Sequence, residues 1–197
     1  MATVATPEGA VAPADARERI LRATVELIGR RGVAAVTNRR VAAAAGVALG
    51  SLTYHFPSKV DLLRESLRLY VEEEVATQKA IAENLRKRCP SVEEIAVEVE
   101  RIVAESGNSV QQLAEIELHL QAARDPALRD ASQRCFEAYE EVAVTTLELL
   151  KVPDPEKHAR SIVALMYGMG LRRLGSGSED ASGVADALLT VVRGAVR

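Results

Sequence analysis

A chain of 197 residues suits one large domain or two modest ones, and a hydrophobic fraction of 48% excludes a disordered tail or a low-complexity scaffold. Aromatics are only 3%, with no Trp, so Leu, Val, Ile and Ala must build the core, and such a core gains from burying further surface against a second subunit. The net charge of -3 hides an asymmetry: from Asp15 to Lys59 eight cations face three anions, giving +5 and leaving -8 for the rest, the mark of a local polyanion-binding surface.

The first 13 residues, rich in Ala, Pro, Gly and Thr, read as a flexible arm. They lack the basic start and long apolar run of an export signal. No run approaches 18 apolar residues, so no membrane span is expected and the expected location is cytoplasmic. Cys89 and Cys135 lie far apart and are expected to be free thiols.

The first helix is predicted over Asp15 to Arg31. Asp15 serves as N-cap, with Glu18 three residues on, and Ile20, Thr24, Leu27 and Ile28 form one apolar stripe. Arg30 and Arg31 suit its last turn and Gly32 its C-cap. A second helix is predicted from Asn38 to Ala45, capped by Thr37, with Val41 and Ala45 inward and Ala42 and Ala44 small enough for close approach. Gly46 supplies a left-handed turn and Val47 plugs the corner. A third runs from Leu49 to Phe56 with Leu52 and Phe56 inward, leaving Ala48, Leu49, Ser51, Thr53, Tyr54 and His55 outward.

Pro57 stops that helix and Ser58 caps a fourth, which continues through Leu62, Leu63, Leu67 and Tyr70 toward Arg88. Glu72, Glu73 and Glu74 mark a solvated stretch where a break is conceivable. Further helices are predicted over 92–106, 110–124, 127–151, 156–174 and 184–196. No stretch shows strand alternation, so the chain reads as all-α, with about nine helices. Residues 14–60 read as a helix-turn-helix domain for DNA, and 61–197 as a helical domain for effector binding and dimerisation.

A helix fits the DNA major groove, where outward side chains reach base edges. Ser51 and Thr53 offer hydrogen-bonding groups, and Ala48 or Leu49 can touch a thymine methyl. Thr37, Tyr54, His55 and Lys59 sit where they can clamp phosphates, and Arg39 and Arg40 add charge to the same surface. The start of the fourth helix offers free N–H groups. Phosphate clamps position such a reader, while base contacts specify the sequence.

Residues 15–63 resemble the DNA-binding domain of the TetR family, the tetracycline-repressor-like transcription regulators. The segments RILRATVELIGRRGVAAVT and VAAAAGVALGSLTYHFPSKVDLL carry the resemblance. Within them it rests on Thr37, Ala42, Gly46, Val47, Gly50, Leu52, Tyr54, Phe56, the Phe-Pro-Ser-Lys turn and Leu62-Leu63. The resemblance implies nine helices, three for DNA and six for ligand binding and dimerisation, in an Ω-shaped homodimer. It also implies phosphate contacts by Thr37, Tyr54, His55 and Lys59. Thr53 stands where members commonly have Tyr, and Ala48-Leu49 replaces a more polar pair, so no base code transfers.

The expected function is a transcription regulator bound to double-stranded DNA as a homodimer, a repressor released from a palindromic operator by a small-molecule effector. An effector-independent regulator or activator is the alternative, and an enzyme or metal protein carrying this N-terminal unit is the remaining class. Ala164, Gly168 and Gly170, with Val184, Leu188, Val191 and Ala195, are the expected dimerisation stripes.

Glu115 and His119 lie one helical turn apart with Glu117 near. A metal site needs a third ligand, and none lies nearby in the sequence, so no metal is expected and the pair reads as the polar wall of a ligand pocket or as a satisfied, half-buried histidine with its partner. Phe136, Tyr139, Met166, Tyr167 and Met169 join them as pocket candidates or core, and His158 reads as surface. No catalytic arrangement or phosphate loop is present in the pattern, so neither enzymatic activity nor a cofactor is expected.

Overall fold

A computed structural model describes residues 15–88, 90–91, 94–95, 97, 101, 110–177 and 182–195. Among the described residues the chain is all-helical. The helices are α1 (Ala16–Arg31), α2 (Asn38–Ala45), α3 (Leu49–His55), α4 (Lys59–Arg88), α5 (Val110–Arg124), α6 (Arg129–Leu149), α7 (Pro155–Ser176) and α8 (Ser182–Ala195). The N-terminal arm, Cys89 and most of the helix expected over 92–106 lie outside the described residues.

Local signals place the early elements. The Asp15 carboxylate accepts from the Glu18 N–H at 2.7 Å and starts α1, while the Thr37 hydroxyl accepts from Arg40 N–H at 3.4 Å and starts α2. Gly46 ends α2 at φ 63, a left-handed conformation in which an L side chain is strained. Ser58 caps α4: its hydroxyl accepts from Asp61 N–H at 3.1 Å and donates to the Asp61 carboxylate at 2.6 Å.

With neither Gly nor Pro between Lys59 and Arg88, α4 runs unbroken for 30 residues, past the expected solvated stretch. The domain boundary expected after residue 60 therefore falls inside a helix. One continuous buried cluster joins Ile20, Ile28, Val41, Leu52 and Phe56 to Leu62, Leu67, Ala114, Leu118 and Cys135. A second cluster joins α6, α7 and α8 through Leu147, Val152, Ile162, Val184 and Leu188.

Three packing expectations change. Ala44 faces outward, so close approach to α2 runs through Ala42 and Ala45. Gly170 is buried, with a Cβ there only 2.5 Å from the Gln112 amide nitrogen, so it serves α5–α7 packing within the chain. Val184 and Leu188 are likewise spent on the chain's own second cluster. Ala164, Gly168 and Leu171, at i, i+4 and i+7 on α7, remain exposed.

Two of the contacts that tie the first four helices to the rest lie at α1 and near the start of α4. The Arg64 guanidinium grips Asp125 through two hydrogen bonds, 2.7 and 3.1 Å, and that pair holds the Asp125 carboxyl below its ordinary range. Gly29 on α1 lies against the first residue of α5: a Cβ at position 29 would stand 2.1 Å from the Val110 carbonyl oxygen. Gly29→Ala should therefore force α1 and α5 apart and lower stability in urea unfolding by about 1–3 kcal/mol. An unchanged midpoint would show that the two helices separate freely.

Candidate functional site

The first three helices make a small scaffold in which α3 exposes one face. Leu52 is fully buried and Phe56 nearly so, which fixes the roll of α3. The opposite face carries Leu49, 46% exposed, Tyr54, 83% exposed, and the exposed Ala48, Gly50 and Thr53, with Ser51 and His55 half-buried beside them. Large apolar and aromatic groups held in water on a helix this short mark an unpartnered surface. The Tyr54 and His55 rings meet edge to face at 5.4 Å between centroids. The Thr53 hydroxyl donates back to the Gly50 and Leu49 carbonyls, at 3.1 and 3.3 Å, so its lone pairs stay open as acceptors.

Beside this face the structure sets cations from two segments, α2 and the start of α4. Arg40 reaches the Ala35 carbonyl at 3.3 Å, and Lys59, at the start of α4, reaches the Val33 carbonyl at 3.4 Å. Both long side chains are thus laid over the turn between α1 and α2, next to the exposed Thr37 and Arg39. Every residue expected to contact DNA is exposed or half-buried.

The charge count overstates the size of this surface. Arg22 is paired with Glu18 at 2.9 Å and Glu73 at 2.6 Å, and Arg30 with Glu26 at 3.0 Å. Arg17 is paired with Glu65 at 3.0 Å and lies over the Phe56 ring at 5.6 Å. The Arg19 guanidinium donates to the last carbonyl of α2, Ala45, at 3.3 Å. Each of these arginines thus has a partner within the protein, and i, i+4 spacing to Glu18 and Glu26 was the signal for two of them.

A second constellation lies in the C-terminal helices. Glu115, His119, Phe136, Tyr139 and Tyr167 come together as a polar-aromatic cluster, whereas Met166 and Met169 pack into the α6–α8 core instead. Glu115 is only 7% exposed. It accepts hydrogen bonds from the Tyr167 hydroxyl, from the Tyr139 hydroxyl at 3.4 Å and from the Cys135 thiol at 3.6 Å. The Tyr139 hydroxyl also reaches Glu74 on α4 at 2.7 Å, where the Gln78 amide donates at the same distance. Burial and the Glu115 charge push the Tyr70, Tyr139 and Tyr167 phenols and the Cys135 thiol up, so all four stay protonated as donors.

Cys135, Glu74, Gln78 and Ser132 belong to this cluster and escape the sequence reading. For Glu74 the signal was there: Leu67, Tyr70, Val71 and Glu74 share the inward stripe of α4. Tyr139→Phe should leave the two carboxylates facing each other without their shared donor. The expected loss is about 1–3 kcal/mol in urea unfolding, and a neutral result would show the bridge is not made in solution.

Comparison with known proteins adds two matches to protein families. Residues 20–66 match "Bacterial regulatory proteins, tetR family", and residues 90–197 match "Tetracyclin repressor-like, C-terminal domain". The repressor KstR of Mycolicibacterium smegmatis is 46% identical over 59 residues, 30% of this chain and 29% of that protein. The matches span only 26% to 57% of the length of the curated relatives. Among solved structures, a TetR-family protein of Streptomyces coelicolor A3 is similar at TM-score 0.68 and 30% identity, over 91% of this chain and 99% of that one. The multidrug binding protein EbrR, complexed with ethidium, is similar at TM-score 0.66 and 30% identity, over 90% and 99%.

Proposed function

This chain belongs to the TetR family of transcription regulators, and we propose that it is a homodimeric repressor whose hold on a palindromic operator is released by a small molecule. The observation that carries the reading is the outward face of α3, exposed among the described residues and accompanied by the exposed Thr37, Arg39, Arg40 and Lys59. In this reading Thr37, Tyr54, His55 and Lys59 hold phosphates, with Arg39 and Arg40 beside them, and Ala48, Leu49, Ser51 and Thr53 meet the bases. Two copies of α3 would lie about 34–36 Å apart, in successive major grooves.

Dimerisation would use the exposed Ala164–Gly168–Leu171 line of α7. The space over Gly168 is open, with nothing within 4 Å of a Cβ there, and Leu171 is 57% exposed. Backbones approach closely across such small residues, and Leu171 adds apolar area.

An open cleft of about 490 Å³ between α1, α4 and α5 supports a place for the effector, away from the pocket candidates Glu115, His119, Phe136, Tyr139, Met166 and Tyr167, none of which lines it. Its walls include Val25 and Glu26 of α1, Leu69, Tyr70 and Glu74 of α4, and Val110 of α5. A molecule filling it would act on α1 and α4 at once and so on the angle of α3. An effector that prefers one spacing of the readers weakens operator binding by linkage. The EbrR complex with ethidium supports small-molecule binding in this fold.

Operator selection followed by binding measurements tests the DNA reading. Lys59→Ala should weaken binding to all sequences alike and make the salt slope shallower by about one unit. Ser51→Ala should instead change base preference by about 1–3 kcal/mol. An unaltered consensus would remove Ser51 from the reading set, and unaltered salt dependence would remove Lys59 from the clamps. Leu171→Glu should turn the dimer into a monomer by light scattering at micromolar concentration, and a native protein already monomeric there would end the paired-groove model.

A further inference from the structure

We propose that Glu115, His119 and Cys135 form a buried site for one divalent transition-metal ion, with zinc the best fit to the ligand set. Glu115 and His119 project from one turn of α5 and Cys135 from α6. Their ligand atoms, a carboxylate oxygen, an imidazole nitrogen and a sulfur, all lie within 4.8 Å of one another. The Glu115 oxygen is 3.9 Å from His119 Nε2 and 3.6 Å from Cys135 Sγ. Around a tetrahedral zinc with bonds of about 2.0–2.3 Å, neighbouring ligand atoms stand roughly 3.3–3.8 Å apart. The metal-free protein therefore needs only small side-chain shifts to close on an ion.

The imidazole is already held in the orientation that binding requires. Its Nδ1 is 2.8 Å from the Ser132 hydroxyl, which leaves Nε2 turned toward Glu115. Phe136 stacks on the ring at 4.3 Å between centroids and 17° between planes. An outer hydrogen bond of this kind fixes the orientation of metal-bound histidines. The mixed N, O and S set suits zinc or cobalt, whereas magnesium and calcium take oxygen ligands.

Charge favours a dication. Among the described residues no Lys or Arg pairs with Glu115, whose partners are phenols, a thiol and the imidazole. On binding, the Cys135 thiol gives its proton to solvent and a metal–sulfur bond forms, with no electron transferred. Carboxylate, thiolate and neutral imidazole then bring M²⁺ to zero net charge, the condition a buried site demands.

Room favours an ion over a larger cation. Phe136 and Tyr139 stand 5.0 and 5.8 Å from the Tyr167 ring between centroids, so aromatic rings fill the space around the carboxylate. The Tyr167 hydroxyl, against Glu115 and 3.4 Å from His119 Nε2, stands where the fourth ligand belongs and binds as the neutral phenol, so the charge balance holds. The site does not depend on the DNA-binding reading.

The test is titration of the full, tag-free, chelator-treated chain with Co²⁺ and then Zn²⁺. Expected are one ion per chain, the near-ultraviolet charge-transfer band of a cobalt–thiolate bond, and loss of that band as Zn²⁺ displaces Co²⁺. Cys135→Ser should abolish the band, His119→Ala should weaken binding by about tenfold or more, and Cys89→Ser should leave both unchanged. Zn²⁺ should also raise the melting temperature of the parent chain and not that of Cys135→Ser, each checked for native helix content by circular dichroism. No band in the parent chain, or a band that survives Cys135→Ser, overturns the site. So does binding of ethidium that depends on Glu115 in a chain that takes up no metal.

Discussion

Helix α1 is packed from two sides, and most of what this protein can do depends on that. Ile20, Leu21 and Ile28 are buried together with residues of α2, α3 and α4, while Gly29 presses its bare backbone onto the first residue of α5. Thr24 sits among them, fully buried, and its hydroxyl donates to the Ile20 carbonyl at 2.8 Å, which removes the cost of an unpaired polar group. Interiors packed this closely have few intermediate arrangements. The close approach of Gly29 to Val110 makes α1 the element through which α5 bears on the first three helices. The Arg64–Asp125 pair adds a second tie between α4 and the end of α5.

The same core contains an unusual concentration of charge. Two carboxylates, Glu74 and Glu115, are joined by one Tyr139 hydroxyl inside a body made mostly of Leu, Val and Ala. A buried carboxylate is costly unless it is well hydrogen-bonded, and here the donors are neutral phenols, a thiol and a carboxamide. Such a network draws helices α4, α5, α6 and α7 to one point.

How much of this was legible depends on how local the signal is. Caps, helix ends and the inward pair Leu52–Phe56 follow from residues within one or two turns of each other, and the structure bears them out. Where packing partners are remote, periodicity misleads. Val184 and Leu188 form an apolar stripe that fits a second subunit equally well, yet they close the chain's own core. Gly170 has the look of an interface residue and serves Gln112. The basic count overstated the reading surface because ion pairs such as Arg17–Glu65 and Arg22–Glu73 are made between helices.

By itself the sequence determined the helices, their caps and the identity of the reading helix, because each of these is decided by neighbours along the chain. Thr37, Gly46, Ser58 and Leu52 act through hydrogen bonds and burial within a few residues. Tertiary structure alone decided that Cys135 meets Glu115 and His119, that Glu74 turns inward to Tyr139, and that α1 bears on α5. Those meetings depend on where long helices cross, and a crossing is set by the summed fit of many side chains rather than by any short pattern.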